Sequence, residues 1–203
     1  MSKLYFDIET LPAGSEMRDI LKQFHESRSE DGKEKKSFEE YLESTNFDGT
    51  FGRLACIGYA VDDGKPEVLY GDEKEMLQRF WEIAKDINLF IGFNLMDFDF
   101  KFVYQRSMLL GVKPSRDLSF RRYCNTPIYD VMYEWNKWGM QNKPSLDKLA
   151  KAFGFPSSKG GDIEGKNVAK AFEEGRISEI CEYCKKDVEL TRKIYKRMIF
   201  EVN

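Results

Sequence analysis

Three short stretches of this sequence bring together residue types that can do chemistry. The first is Asp7-Ile8-Glu9, at the end of an apolar run that reads as a strand over Leu4–Ile8. Strand side chains alternate with period two, so the two carboxylates share one face. They repel each other there unless a cation lies between them. The plainer alternative leaves Glu9 past the strand end in water. On the pair alone that alternative is favoured, because Asp-x-Glu is a common triplet. The second stretch is Asn94-Leu95-Met96-Asp97-Phe98-Asp99, directly after a short apolar strand predicted at Leu89–Phe93. Ligands of open α/β sheets gather outside the carboxyl ends of strands. The rival here is helix capping, with Asn94 or Asp97 at the N-cap and Asp99 in the first turn. Capping does not explain why one short stretch needs both aspartates. The third is Tyr183-Cys184-Lys185-Lys186-Asp187, in which a spacing of four puts Tyr183 and Asp187 on one helix face. As ordinary structure, Tyr183 is core and Asp187 pairs with Lys186 or a neighbouring turn.

The elements that must position these groups alternate between strand and helix. After the first strand comes a polar region, about Thr10 to Arg53, with helix-like stretches at Met17–Phe24 and Ser37–Leu42. Between them, Glu26 to Lys36 is charge-dense and reads as a loop or a solvated helix end. Strand patterns resume at Leu54–Val61 and Glu67–Tyr70, joined by the hairpin signal Asp62-Asp63-Gly64-Lys65. A helix is predicted at Glu73–Lys85, with Met76, Leu77, Phe80, Trp81 and Ala84 on one face. Another is predicted at Asp97–Leu110, then a short strand at Ile128–Met132. Helices at Ser145–Phe153, Val168–Glu174 and Ile177–Ile199 complete an α/β domain on a mixed sheet.

Composition narrows the chemistry. The 203 residues hold 32 Lys and Arg against 35 Asp and Glu, with a single His and a net charge of −3. A hydrophobic content of 41% is too high for a disordered chain. One His excludes any zinc site built on two, and His25, in a charged stretch, reads as solvated. The four cysteines, with an acid at Asp7 before any signal-like apolar run, read as reduced thiols of a cytoplasmic protein. Cys181-x-x-Cys184 lacks the second pair that a zinc ribbon needs and lies inside a helix rather than at its start.

Taken in order, Asp7-x-Glu9, Asn94-x-x-x-Phe98-Asp99 and Tyr183-x-x-x-Asp187 resemble the three motifs of the DEDD superfamily of 3′–5′ exonucleases, in the tyrosine form (DEDDy). With His25 far upstream, the histidine form is excluded. Ser145-Leu146-Asp147-Lys148-Leu149-Ala150, Phe153-Gly154-Phe155-Pro156, Gly165-Lys166-Asn167-Val168 and Gly175-Arg176-Ile177-x-x-Ile180 extend the likeness. They resemble the downstream half of the predicted exonucleases related to the proofreading domain of family-B DNA polymerases. The likeness covers roughly residues 3–12 and 54–200. It implies a ribonuclease-H-like mixed β-sheet, an antiparallel hairpin plus parallel strands, flanked by helices. It also implies one exonuclease domain over residues 1–203, with an unassigned insertion at about 11–53.

By the same resemblance, Asp7, Glu9, Asp99 and Asp187 hold two divalent ions, Mg²⁺ or Mn²⁺, and Tyr183 orients the attacking water. A phenol of ordinary pKa ≈ 10 is a poor base near neutrality. Thr10, Asn94 and Phe98 are the implied substrate residues, although Asn94 serves equally well to hold the loop. Asp97 rivals Asp99, and only the motif register, an acid directly after Phe98, decides between them. Asp130 resembles a recurrent acid near the site and is not read as a ligand. The implied reaction is 3′–5′ hydrolysis of single-stranded DNA to nucleoside 5′-monophosphates. An exoribonuclease and a silent nucleic-acid-binding module are the alternatives. The chain has no room for a polymerase domain, so repair or replication proteins would be partners in trans, and no membrane is involved.

A polyanionic substrate needs cations. Residues 101–151 hold ten Lys and Arg against four acids, a net +6, which leaves −9 for the remainder of a chain at −3. Tyr123, Tyr129, Tyr133, Trp135 and Trp138 interleave with them, a composition that suits a single strand.

Overall fold

The computed structural model describes residues 1–27, 37–157 and 160–201. Most of the charged stretch Glu26–Lys36 therefore lies outside the described residues. Strands β1 (Lys3–Leu11), β2 (Arg53–Val61), β3 (Glu67–Tyr70), β4 (Leu89–Gly92) and β5 (Ile128–Asp130) form one sheet in the order β3-β2-β1-β4-β5. The β1–β2 and β2–β3 pairs are antiparallel, and β1–β4 and β4–β5 are parallel.

The helices are α1 (Arg18–Ser27), α2 (Phe38–Ser44), α3 (Glu73–Ala84), α4 (Asp99–Leu109), α5 (Val131–Trp135), α6 (Leu146–Phe153), α7 (Val168–Glu173) and α8 (Ile177–Met198). Alternation along β1 divides them. Leu4, Phe6 and Ile8 face the core made with α3 and α4, where Phe80, Trp81, Phe100 and Phe102 are buried. Tyr5 faces the other way, against Val188, Ile194 and Tyr195 of α8, and period two sends Asp7 and Glu9 to that same side.

Helix α8 follows its predicted range closely because its buried residues, Ile180, Cys181, Tyr183, Cys184, Asp187, Val188, Thr191 and Ile194, recur every three or four positions. Its close approach to β2 depends on Gly58, where a Cβ would stand 2.7 Å from Cys184 Sγ and 3.2 Å from Val188 Cγ2. Gly58→Ala is expected to cost about 2 kcal/mol by overpacking. A urea midpoint would show the loss.

Beside the acids, two of the predicted elements are shorter than their patterns by two residues or more. The strand predicted at Ile128–Met132 ends at Asp130, whose carboxylate accepts the N–H groups of Met132 (3.0 Å) and Tyr133 (3.2 Å) and so starts α5. Helix α4 begins at Asp99 rather than Asp97, after a non-helical Phe98 with φ −125° and ψ −78°.

The segment between β1 and β2 carries α1, α2 and a short 3₁₀ turn, Thr45–Phe47. It is tied down at several points. Thr10 Oγ1 donates to the Asn46 carbonyl (2.8 Å), Ala13 N–H donates to Thr45 Oγ1 (2.8 Å), and Arg106 Nη1 donates to the Gly49 carbonyl (3.2 Å). His25 is half-buried rather than simply solvated: its ring lies 5.7 Å from Phe38 and 5.5 Å from Tyr41 of α2.

Candidate active site

Strand β1 runs past the end of β4. Their pairing stops at Tyr5–Ile91, so the Ile8 N–H has no strand partner on that side. Asp99 Oδ1 accepts it at 3.0 Å, which anchors the start of α4 to the end of β1. Asp99 does stand in the first turn of α4, as the capping alternative placed it, but the N-cap is Phe98 rather than Asn94 or Asp97 and makes no side-chain cap. Asp97 is diverted elsewhere, accepting a hydrogen bond from the Tyr133 hydroxyl and pairing with Lys143 Nζ at 3.5 Å. The register of the motif thus coincides with a physical difference between the two aspartates.

Glu9 is not left in water. It lies within β1, 8% exposed, beside a register shift between Glu9 and Thr10 of the kind common next to active sites. Asp187 is turned inward and 7% exposed, while neighbouring Lys186 is exposed. Tyr183 is also buried, packed in a cluster with Leu11, Ala55 and Ile180, so its ring is core as well as site.

The four carboxylates act on one another electrostatically. Burial raises the Asp7 pKa well above its ordinary value, and the charges of Asp99, Asp187 and Glu9 push it further. Glu9 is raised by burial and then by Asp187 and Asp99. Asp99 is raised by burial, opposed by the Ile8 N–H, with Asp130 and Asp187 adding to the rise. Among the described residues, no Lys or Arg forms an ion pair with Asp7, Glu9 or Asp99. These three clustered carboxylates, Glu9 and Asp99 buried and Asp7 half-buried, suit a hard divalent cation, which prefers oxygen donors. Burial, followed by the charges of Asp187 and Glu9, pushes the Tyr183 phenol up, so it keeps its proton at neutral pH.

Two groups take roles that the sequence reading did not give them. Cys184 donates toward the Asp7 carbonyl and Oδ2, both at 3.5 Å, and its sulfur falls with carboxylate oxygens of Asp7 and Glu9 in a group spanning no more than 4.8 Å. A hydrogen bond to Cys56 lowers the Cys184 thiol pKa, but burial and the charges of Asp7 and Glu9 outweigh it and hold the pKa up. The signal was available: Cys184 lies beside Tyr183 on the inward face of α8. Asp130, 1% exposed, accepts not only from its own helix but also from Asn94 N (3.2 Å) and Met96 N (3.0 Å). It therefore fixes the loop that delivers Asp99. Asn94 takes a left-handed conformation in that loop, φ 59°, which asparagine tolerates better than most residues.

The other implied substrate residues flank the acids. Phe98 packs 5.8 Å from Phe102 and 6.4 Å from Phe47, and Thr10 lines the same cleft while its hydroxyl is committed to Asn46. The basic stretch is only partly available. Arg106 makes a two-pronged contact with Glu73 (2.8 and 2.9 Å), and Arg116 donates to the Ile87 carbonyl. Tyr129 and Tyr133 are core, while Tyr123 is 79% exposed and Trp135 is 43% exposed.

The sheet, its crossing helices and the acids at the end of β1 define a ribonuclease-H-like fold of the polymerase exonuclease type. The structure of the family B DNA polymerase from the hyperthermophilic archaeon Pyrobaculum calidifontis is similar to 98% of this chain, with a TM-score of 0.68 and 18% identity. The chain spans only 24% of that polymerase. Residues 62–201 match the family described as predicted 3′–5′ exonucleases related to the exonuclease domain of PolB, and the chain belongs to that family. An uncharacterized protein of Methanocaldococcus jannaschii is 28% identical over 170 residues, which is 78% of this chain and 92% of the relative. The family match includes Asn94, Phe98, Asp99, Tyr183 and Asp187, but begins beyond Asp7 and Glu9. Among the described residues, no helix is long and apolar enough to cross a membrane.

Proposed function

We propose that this chain is a metal-dependent 3′–5′ exonuclease acting on single-stranded DNA and releasing nucleoside 5′-monophosphates. Residues 1–203 form its exonuclease domain, and any role in repair or replication is exercised with partner proteins in trans. The observation that carries the reading is the convergence of Asp7, Glu9, Asp99 and Asp187, four acids delivered by β1, α4 and α8 to one place, where the charge of Asp187 acts on each of the other three. These four would hold two ions, Mg²⁺ or Mn²⁺. Such ions, when bound, favour in-line attack by water by offsetting charge on the attacking and leaving oxygens.

The chain's own groups set the geometry. The Ile8 N–H fixes one oxygen of Asp99, and the Cys184 thiol steadies Asp7. Tyr183, protonated and packed in the core, directs the water by a hydrogen bond rather than by taking its proton. Asn94 and Thr10 border the strand's end, and Phe98 contacts it.

The test supplies labelled DNA and RNA single strands with Mg²⁺ or Mn²⁺. Stepwise loss from the 3′ end of DNA, abolished by EDTA, is expected. Faster loss of RNA would overturn the substrate assignment, and absence of any metal-dependent release would overturn the activity. Tyr183→Phe is expected to lower kcat roughly 10²-fold, the scale seen when one positioned donor is removed. Metal affinity measured by titration calorimetry should change little, because the phenol is not among the proposed ligands.

A further inference from the structure

A cleft of about 600 Å³ opens beside Glu9, and one of its walls comes from the segment that the sequence left unassigned. Asn46 and Phe47 of that segment face the cleft together with Thr10 and Phe98. Phe47 is 71% exposed, yet it is not on a loose loop. The preceding carbonyl, that of Asn46, accepts from Thr10, and Thr45 Oγ1 accepts from Ala13 while donating to the Leu42 carbonyl at 2.6 Å. These bonds pin the turn to the end of the strand that carries Asp7 and Glu9. The Phe47 ring is thereby held with its centroid 6.4 Å from that of Phe98, at an interplanar angle of 55°.

The charges around the cleft indicate which part of a nucleotide it suits. Glu9, Glu40 and Glu43 line it against only Lys166 and Lys170. Those two lysines are already engaged, Lys166 with Glu164 at 3.1 Å and Lys170 with Glu174 at 3.9 Å. With three acids against two lysines, the surface does not attract phosphate, but it accepts a neutral aromatic ring. Asn46 adds a second sign of a missing ligand: its side-chain oxygen is buried without a hydrogen-bond partner among the described residues. A buried acceptor left unpaired is costly, and turning the amide so that this oxygen meets a donor in the cleft would reduce that cost.

We propose that Phe47 and Phe98 form the pocket for the base of the 3′-terminal nucleotide, with Asn46 as its polar contact, so that the inserted segment sets how the strand end is seated. The inference rests on the exonuclease reading above. Stacking on an aromatic ring is tolerant of base identity, because every base has a π-face. The pocket therefore grips the terminal base without selecting among the four.

The experiment compares wild type, Phe47→Ala and Phe47→Trp on strands ending in an intact or an abasic 3′ nucleotide. Phe47→Ala is expected to raise KM about tenfold on the intact end, the scale of one base–aromatic stack. Phe47→Trp should restore it. The abasic end should cost the wild type a similar factor and make Phe47→Ala no worse. An equal penalty for Phe47→Ala on both ends, or no penalty on either, would overturn the pocket. Should the wild type release nothing, the exonuclease reading falls. The same comparison, read as strand binding by fluorescence anisotropy in Ca²⁺, would then decide the pocket separately.

Discussion

Asp7→Asn is expected to abolish metal-dependent nucleotide release, by on the order of 10³-fold or more in kcat/KM, equivalent to about 4 kcal/mol of transition-state stabilisation. The same substitution should make the metal-free protein more stable at neutral pH. Opposite signs follow from one cause. Asp7 is raised above its ordinary value of 3.8 by burial and by Asp99, Asp187 and Glu9. A carboxyl group whose folded pKa lies above its unfolded pKa binds a proton on folding in the window between them. The stability it contributes is complete below the unfolded value and drains away as pH rises through the folded one. Without metal, the wild type should therefore lose melting temperature through this site as pH rises above the ordinary carboxylate range. Asp7→Asn should lose less, because one repelling charge is gone and its neighbours are relieved. Added Mg²⁺ or Mn²⁺ should reverse the order at pH 8 by stabilising the wild type more. Scanning calorimetry with EDTA and with metal measures both arms. An Asp7→Asn protein that is less stable than wild type without metal would show that this carboxylate serves the fold rather than a cation.

The way the sequence reading divided into successes and misses has physical causes. Elements with strong periodicity were legible: α8 declares its inward face, and β3 occupies its predicted range because the hairpin signal fixes its start and Gly71, at φ 112°, follows its end. The pair Asp7 and Glu9 was legible as a shared face, but not that Glu9 is buried and Asp7 half-buried, since that depends on α8 crossing above them. Asp99 could be separated from Asp97 only by motif register. What distinguishes them in space, the Ile8 N–H for one and Tyr133 with Lys143 for the other, comes from residues remote in sequence. Cys56 stands alone in the chain yet meets Cys184 because Gly58 lets α8 come close to β2. The wall built by Asn46 and Phe47 was invisible for a different reason. Its anchors to β1 and α4 use the carbonyls of Asn46 and Gly49, and a backbone acceptor leaves no mark on residue type. The basic stretch misled in part because Arg106 and Arg116 spend their charge on protein groups.

Asp130→Ala is expected to be the most destabilising single change near the site, by on the order of 4 kcal/mol, and to lower activity as well. The Asp130 carboxylate is buried and accepts four backbone N–H groups, from Asn94, Met96, Met132 and Tyr133, at 3.0 to 3.2 Å. Burial raises its pKa and those N–H groups lower it, with burial the larger effect. Alanine leaves four donors without an acceptor, two of them in the loop before Asp99. Each stranded buried donor costs about 1–3 kcal/mol, and the four are not additive because the loop can relax toward water. For a domain of this size the total corresponds to a fall in melting temperature of roughly 10 °C. Asp130→Asn should lose less, since its amide oxygen can keep the N–H groups of Asn94, Met132 and Tyr133, and only the Met96 N–H then faces an NH2 group. The loss of activity distinguishes this aspartate from an ordinary cap. Asp130 acts on Asp99 through the loop and touches no proposed ligand position, so raising the metal concentration should recover more activity in Asp130→Asn than in Asp7→Asn. Metal titrations of kcat/KM at 15 °C, below the lowered melting transition, would measure this. Equal and complete loss at saturating metal would place Asp130 among the groups that contact metal or substrate directly.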